Sequence, residues 1–174
     1  KADWAFGAVK AHGEGSDAFK AENGGTSFSY NLALNLETSF TGKDLLYTRL
    51  RSGNVANVYG DLFSQEYAID TANTVIVNRL YYSFPIGDFT VVGGPVVRMD
   101  DMLPVWPSAY PAAMTYDFFT YAGAPGAYNL ALGGGAGIYW KSDDFSISTS
   151  YLSTNANDSN PNTGGFMTDG AGSS

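Results

Sequence analysis

Residues 26–40 read TSFSYNLALNLETSF, and apolar residues alternate along this stretch with small or polar ones. Every even position from Phe28 to Leu36 is apolar, whereas the odd positions carry Ser, Asn, Ala and Glu. A period of two places successive side chains on opposite faces of a strand. The stretch is also long, because strands of soluble proteins usually contain about 5–6 residues. It therefore predicts a long strand with one apolar and one polar face.

Aromatic residues mark the apolar face of this stretch, since Tyr30 and Phe40 lie ten residues apart on it. At roughly 3.3 Å per residue and a tilt of about 40°, they would stand roughly 25 Å apart along a barrel axis. An outer-membrane barrel has an apolar band of about 25 Å with aromatic girdles at both rims. The stretch therefore favours a strand that crosses an outer membrane.

Further segments show the same alternation and are joined by connections of two kinds. In residues 89–98 the sequence Gly93-Gly94-Pro95 predicts a bend or bulge. Short turns alternate regularly with long connections, as in outer-membrane barrels with their short periplasmic turns and longer external loops. The further strands are expected in 1–11, 46–51, 76–84, 89–98, 128–140 and 145–151, the short turns at 41–44, 85–88 and 141–144, and the long connections at 10–25, 54–73, 99–126 and 154–165.

These segments predict an all-β fold, a transmembrane antiparallel up-and-down β-barrel. Seven strands can be counted, and an eighth is expected to begin near Phe166. Single-chain bacterial barrels have an even number of strands. Residues 1–174 are therefore expected to form the N-terminal portion of a larger barrel whose remaining strands are absent.

Composition and motifs argue against several other functions. The net charge of −8 disfavours nucleic-acid binding, and the lack of cysteine excludes disulfides and thiolate metal sites. No apolar run reaches about 18 residues, so no transmembrane helix is expected. The one histidine, His12, lies near Glu14 and Asp17 in a glycine-rich segment without a nucleophile-elbow motif. We therefore expect no enzyme activity, no metal site and no cofactor.

The four arginines are the candidate pore-lining residues. Arg49, Arg51, Arg79 and Arg98 each fall on the face opposite an apolar stripe. An arginine facing lipid at mid-membrane would cost about 2–4 kcal/mol, which favours the inward assignment. The alternative is that these arginines only pair with neighbouring carboxylates and stiffen the barrel.

The long connection after Arg98 is the candidate constriction loop, because a loop of this size in a compact fold is usually functional. A basic wall facing an acidic loop would create a transverse field that filters ions and orders polar solutes. Aromatic residues of the loop could stack on sugars, although packing within the loop is the favoured interpretation. The proposed constriction residues are Asp100, Asp101, Trp106, Tyr110 and Asp117.

Four stretches carry a family resemblance: Tyr30–Leu46, Thr48–Asn54, Leu80–Asp88 and Gly135–Tyr139. They resemble the cyanobacterial outer-membrane porins, which belong with the carbohydrate-selective porins. The resemblance implies a barrel of about 16 strands or more, integral to the outer membrane and homotrimeric. It also implies passive diffusion of small hydrophilic solutes and ions, either sugars or inorganic ions. Members of the family bind peptidoglycan through a surface-layer-homology domain that this sequence does not contain.

Two other functions remain open. A secreted, soluble β-sandwich could bind carbohydrate through aromatic loops, but it would not explain the regular alternation of short and long connections. A closed eight-stranded barrel could serve as an adhesin or an anchor. Side chains just fill such a small barrel, whereas the small inward residues of this chain favour an open lumen. These small residues are Ala131, Gly133, Gly135 and Gly137.

Overall fold

The computed structural model describes residues 1–8, 10–55, 68–106 and 131–168. Most of the described chain is β-strand, with one helix, α1 (Ser16–Asn23), and one 3₁₀ turn, Met99–Met102. The strands are β1 (Ala2–Gly7), β2 (Ser27–Thr38), β3 (Leu45–Val55), β4 (Ile69–Asp70), β5 (Ile76–Ile86), β6 (Phe89–Arg98), β7 (Leu132–Lys141) and β8 (Ser146–Ser153).

The strands form one antiparallel sheet in which chain neighbours are also neighbours in space. Its order is β1-β2-β3-β5-β6-β7-β8, and the short β4 pairs with β3. This is an up-and-down meander, so the prediction of an all-β, antiparallel up-and-down architecture is confirmed. The sheet is not closed in the described residues, and closure into a transmembrane barrel stays a prediction.

Short turns join the strands where the sequence predicts them. β5 passes into β6 through Gly87 and Asp88, and Gly87 adopts a φ of 60°, which glycine tolerates without steric cost. Between β7 and β8, the Ser142 hydroxyl accepts a hydrogen bond from the Phe145 N–H at 3.1 Å. Such side-chain bonds stabilise tight turns and thereby fix the register of the strands on either side.

Contacts along the chain divide it into two compact units. The described residues of the first unit belong to 1–34 and 51–76, and those of the second to 35–50, 77–106 and 131–168. In the first unit, β1 pairs with β2 from Ala2 opposite Leu32 to Gly7 opposite Ser27.

The second unit contains a small apolar core on one face of β6, β7 and β8. The core consists of Val92, Val97, Met99, Met102 and Leu152, each less than 7% exposed. The 3₁₀ turn lies on this face, where the Ser150 hydroxyl contacts the Met99 sulfur at 3.1 Å. The inward glycines of β7 therefore make room for packed side chains here: a Cβ added at Gly137 would lie 3.0 Å from the Met102 Cβ.

The predicted bulge in β6 is confirmed. The register against β7 shifts between Gly94 and Val97. Beyond the shift, Val97 pairs with Gly133 and Arg98 with Leu132. Because the bulge changes the alternation, Val97 is the fully buried residue and Arg98 lies opposite an exposed leucine.

Three features differ from the sequence-based expectation. No strand forms within the described residues 154–168, so the eighth strand expected near Phe166 is wrong. Gly165 turns the chain with a φ of 105°, and the Ser153 hydroxyl donates to its carbonyl at 2.7 Å. Phe166 instead packs edge-on against Tyr151, with ring centroids 5.3 Å apart. The described residues contain eight strands because the short β4 forms within 54–73, a connection expected to be a loop. Helix α1 forms within 10–25, another connection expected to be a loop.

No helix in the described ranges is long and apolar enough to cross a membrane.

Candidate functional site: the polar face of the sheet

In the first half of β2, the two faces of the strand differ sharply in exposure. On the polar face, Asn31 is 2% exposed and Ala33 1%. On the apolar face, Leu32 is 49% exposed and Leu34 53%. In soluble proteins large apolar residues are mostly inside and polar residues mostly outside. The distribution over residues 31–34 of β2 is the reverse, whereas both faces are exposed from Asn35 to Thr38.

Hydrogen bonds account for the buried polar side of β2 in the first unit. The Asn31 amide donates to the Asp3 carboxylate at 2.9 Å. Its oxygen accepts from the Arg51 guanidinium at 3.0 and 3.2 Å. Buried polar groups are normally hydrogen-bonded, and Arg51, one of the predicted pore-lining residues, contributes to this network.

Exposed apolar side chains continue on other strands of both units. Contiguous exposed apolar patches of more than a few hundred Å² are rare on soluble monomers and mark contacts with membranes or partners. In the second unit the register aligns Ile86 with Phe89, Phe89 with Trp140 and Trp140 with Ile147. The exposed strand residues include Trp4, Phe6 and Phe28 in the first unit and Ile86, Phe89, Ile138 and Ile147 in the second.

Aromatic rings of the second unit gather near the short turns. Phe40 and Tyr82 have ring centroids 6.3 Å apart, and Tyr82 stacks on Phe84 at 5.4 Å. Trp140 and Phe145 flank the β7–β8 turn at 6.3 Å. Tyr and Trp rings suit a boundary between an apolar and a wet region, because each combines an apolar body with a polar group.

The structure brings two predicted arginines onto two predicted loop aspartates. The Arg79 Nε donates to Asp101 at 2.5 Å, and its Nη1 donates to the Asn78 carbonyl at 2.7 Å. Arg98 binds Asp100 through Nε and Nη2, each at 2.5 Å. The Arg98 backbone N–H also donates to Asp101 at 2.9 Å. The arginines and aspartates thus form close ion pairs that hold the 3₁₀ turn in place. This arrangement corresponds to the alternative interpretation, in which the arginines pair with neighbouring carboxylates.

Burial sets the electrostatics of the Arg79–Asp101 pair. The Arg79 side chain is 4% exposed and the Asp101 side chain 18%. Burial raises the pKa of Asp101 above its ordinary value, although the neighbouring Arg79 favours the ionised carboxylate. Removing either partner would leave a desolvated charge behind, which is the costly way to break a buried pair.

Arg49 differs from the other arginines. Its Nε is buried and makes no hydrogen bond within the described part of the chain. Tyr47 precedes it on the same face of β3 and stacks on Tyr81 with ring centroids 5.2 Å apart and planes at 29°. Arg49 therefore lies beside an aromatic pair without a partner of its own among the described residues.

Asp44 is a polar centre that the sequence analysis did not single out. Its carboxylate accepts hydrogen bonds from the Ser39 hydroxyl at 2.8 Å, from the Thr41 N–H and hydroxyl at 2.7 Å, and from the Tyr82 hydroxyl. The Tyr82 and Thr41 hydroxyls hold the pKa of Asp44 far below its usual range. The sequence Ser39-Phe40-Thr41-Gly42-Lys43-Asp44 carries a signal, because Ser, Thr and Asp in turns bond to nearby backbone groups.

The remaining predicted loop residues have different outcomes. Trp106 is half-buried, and Tyr110 and Asp117 lie outside the described residues.

Within the described ranges, no group of three or more acidic or histidine side chains is arranged to hold a metal ion. The Asp158 carboxylate is hydrogen-bonded by the Asn160 N–H and the Thr163 hydroxyl, which lower its pKa.

Comparisons with known proteins identify a relative but no family. The chain is 34% identical over 164 residues to the uncharacterized protein sll0772 of Synechocystis sp.. The match covers 88% of this chain and 29% of the relative, so the chain spans less than a third of that protein. No protein-family model matches the chain. No solved structure matches it either.

Proposed function

We propose that this chain forms part of an outer-membrane porin, a β-barrel through which small hydrophilic solutes and ions diffuse. The observation that carries the proposal is the reversal of the two faces of β2, where leucines are exposed and Asn31 is buried. This pattern is stable in a bilayer, because lipid solvates the outward apolar side chains while the polar side chains turn towards a lumen.

Strand length supports the same proposal. β2 has 12 residues, β3 and β5 have 11 each, and β6 and β7 have 10 each. A tilted strand needs about 9–11 residues to cross the apolar core of a bilayer. Strands can span a membrane only in a closed barrel, since every backbone polar group must be paired. The up-and-down order is the connectivity found in outer-membrane barrels.

The sequence resemblance supplies the finer parts of the proposal. It adds the outer membrane of a cyanobacterium as the location, a homotrimer as the assembly, and peptidoglycan as a partner through a domain not in this sequence. A relative in Synechocystis sp. is in keeping with that source. Sugars and inorganic ions are the two candidate solute classes.

Single-channel recording in a planar lipid bilayer tests this function. Detergent-purified full-length protein should insert and give stepwise, ohmic openings. The matched control is the same preparation after heat denaturation, which should give no steps. A protein that stays in solution without detergent and never produces a step would contradict the porin and favour the secreted sugar-binding sandwich.

A further inference from the structure

Among the described residues of the second unit, two of the three arginines form ion pairs with carboxylates and the third does not. Asp101 pairs with Arg79 and Asp100 pairs with Arg98, each at 2.5 Å. Arg49 lies within 4 Å of no carboxylate in the described part of the chain. One guanidinium of this group of three therefore keeps an uncompensated charge.

The environment of Arg49 makes this lack of a partner costly. Its Nε is buried, and among the described residues nothing accepts its hydrogen. A buried donor without an acceptor loses its bond to water and gains nothing in return. Native proteins keep few such groups, and a bound ion is one way in which such a donor is satisfied. The position thus suits a ligand that brings its own negatively charged oxygen atoms.

The neighbouring tyrosines supply further donors. Tyr47 and Tyr81 stack at 5.2 Å, and neither hydroxyl bonds to another residue of the described ranges. Tyr47 and Arg49 are two residues apart on β3 and therefore share a face, so Arg49 lies beside the stacked pair. A phenol hydroxyl can donate to an oxyanion, and the planar guanidinium fork matches a carboxylate or phosphate group.

We propose that Arg49, Tyr47 and Tyr81 form a binding site for the oxyanion group, carboxylate or phosphate, of a permeating solute. The inference rests on the proposed porin function and deepens it by naming the solute class. Arg79 and Arg98 are excluded from this role because their guanidinium groups already bind Asp101 and Asp100. Of these three arginines, Arg49 is the one that determines specificity.

The test compares R49Q with the wild-type channel in two recordings. The first is the reversal potential across a gradient of dilute KCl, where screening is weak. A unit charge about 4 Å from a passing ion changes its local concentration about fivefold in water. Because the charge enriches anions and depletes cations by this factor, we expect R49Q to lower the anion-to-cation permeability ratio about 25-fold. The matched control is K43Q, the same loss of charge in an exposed turn, which should leave the ratio unchanged.

The second recording uses inorganic phosphate as the probe. Phosphate should reduce the chloride current of the wild-type channel in a concentration-dependent way, and R49Q should abolish this effect. R49K should keep the ion selectivity but weaken the phosphate effect, because an ammonium group lacks the fork. The double variant Y47F/Y81F keeps the stack and removes both hydroxyl donors, so it should weaken phosphate inhibition without altering ion selectivity.

The outcomes separate the two proposals. A wild-type protein that opens no channel overturns the porin function, and this inference with it. A conducting channel whose selectivity and phosphate response survive R49Q overturns the inference alone. If R49Q does not assemble, the tyrosine variant decides, and an unchanged phosphate response would contradict the site.

Discussion

The two faces of β2 are built from neighbouring residues yet meet opposite surroundings. Leu34 is 53% exposed, whereas Ala33 next to it is 1% exposed and Asn31 is 2% exposed. The polar face is held by hydrogen bonds among Asn31, Asp3 and Arg51. The apolar face has no comparable cover among the described residues, and other strands of the sheet repeat its exposed large side chains.

This contrast shows which face carries specific interactions. On the polar face of β2, the hydrogen bonds among Asn31, Asp3 and Arg51 fix individual side chains. On the apolar face, the exposed residues Leu32, Leu34 and Leu36 share only their hydrophobicity. Lipid chains can solvate a surface of the second kind, because they require only that it be apolar. Mutations should therefore act by different rules on the two faces.

Breaking the buried ion pair should have the largest effect. D101N removes the charge that compensates Arg79, whose side chain is 4% exposed. Loss of one partner of a buried pair costs about 3–5 kcal/mol, so the free energy of unfolding should fall by about that amount. Urea titration in detergent micelles measures it.

D100N is the matched control for that change. Its partner Arg98 is 26% exposed, so water can solvate the freed guanidinium and the loss should be smaller. Equal losses in D100N and D101N would contradict the idea that burial of Arg79 sets the cost.

A charge on the apolar face should have the next largest effect. L34R should lower the free energy of unfolding from a bilayer by about 2–4 kcal/mol, because a lipid-facing arginine is costly near the midplane. At an exposed position in water, the same change usually stays within about 0.5 kcal/mol. Unfolding in liposomes compares L34R with N35R, which lies on the polar face. A cost as small for L34R as for N35R would argue against lipid contact.

Adding a methyl group at a glycine should lower the free energy of unfolding more on one face of the β6–β7 pair than on the other. G137A places a Cβ 3.0 Å from those of Met102 and Ser150 on the packed face, and crowding there should cost about 1 kcal/mol or more. G93A adds the same group on the other face, where the nearest atoms lie at 3.4 Å. G93A should be nearly neutral by urea titration, and a larger loss for G93A than for G137A would be contrary to the packing described.

The smallest expected effect concerns the pH dependence of stability. The folded-state pKa of Asp44 is lowered by its hydrogen bonds with Tyr82 and Thr41. A lowered pKa stabilises the folded chain fully above the unfolded value of about 4, and this contribution is lost as the pH falls below it. D44N should lose this pH-dependent part.

Asp101 acts in the opposite sense, since burial raises its pKa. Because it is present in both proteins, the difference between wild type and D44N isolates Asp44. Unfolding curves recorded between about pH 2 and pH 6 check this. If the free energy of unfolding changes with pH in the same way in both proteins, the Asp44 hydrogen bonds do not contribute to the pH dependence of stability.

The strands could be predicted from sequence because alternation has a clear period. The structure places β2 at Ser27–Thr38 within the expected residues 26–40, and β5 begins at Ile76 as expected. The bulge in β6 was also predictable, since Gly93-Gly94-Pro95 disfavours a regular ladder. Such signals are local in the sequence, and the two faces of each strand follow from them directly.

The arrangement around the arginines could not be predicted in the same way. Asp100 and Asp101 are consecutive residues, yet one binds Arg98 and the other Arg79. That division depends on the 3₁₀ turn and on the bulge, which together decide where each carboxylate lies. The role of the β7 glycines was likewise hidden, because only the fold brings Met102 to Gly137. Phe166 misled for a related reason, since Gly165 turns the chain where a strand was expected.

Single-cysteine labelling of β2 in liposomes tests the reversal of faces most directly, because the chain has no cysteine of its own. Cysteines at Leu34 and Leu36 should resist a water-soluble maleimide, and probes attached there should be quenched by brominated lipid. Cysteines at Asn35 and Glu37, which are exposed on the polar face, should react with the maleimide and escape quenching. Equal labelling of all four positions, without quenching by lipid at any of them, would contradict the reversal.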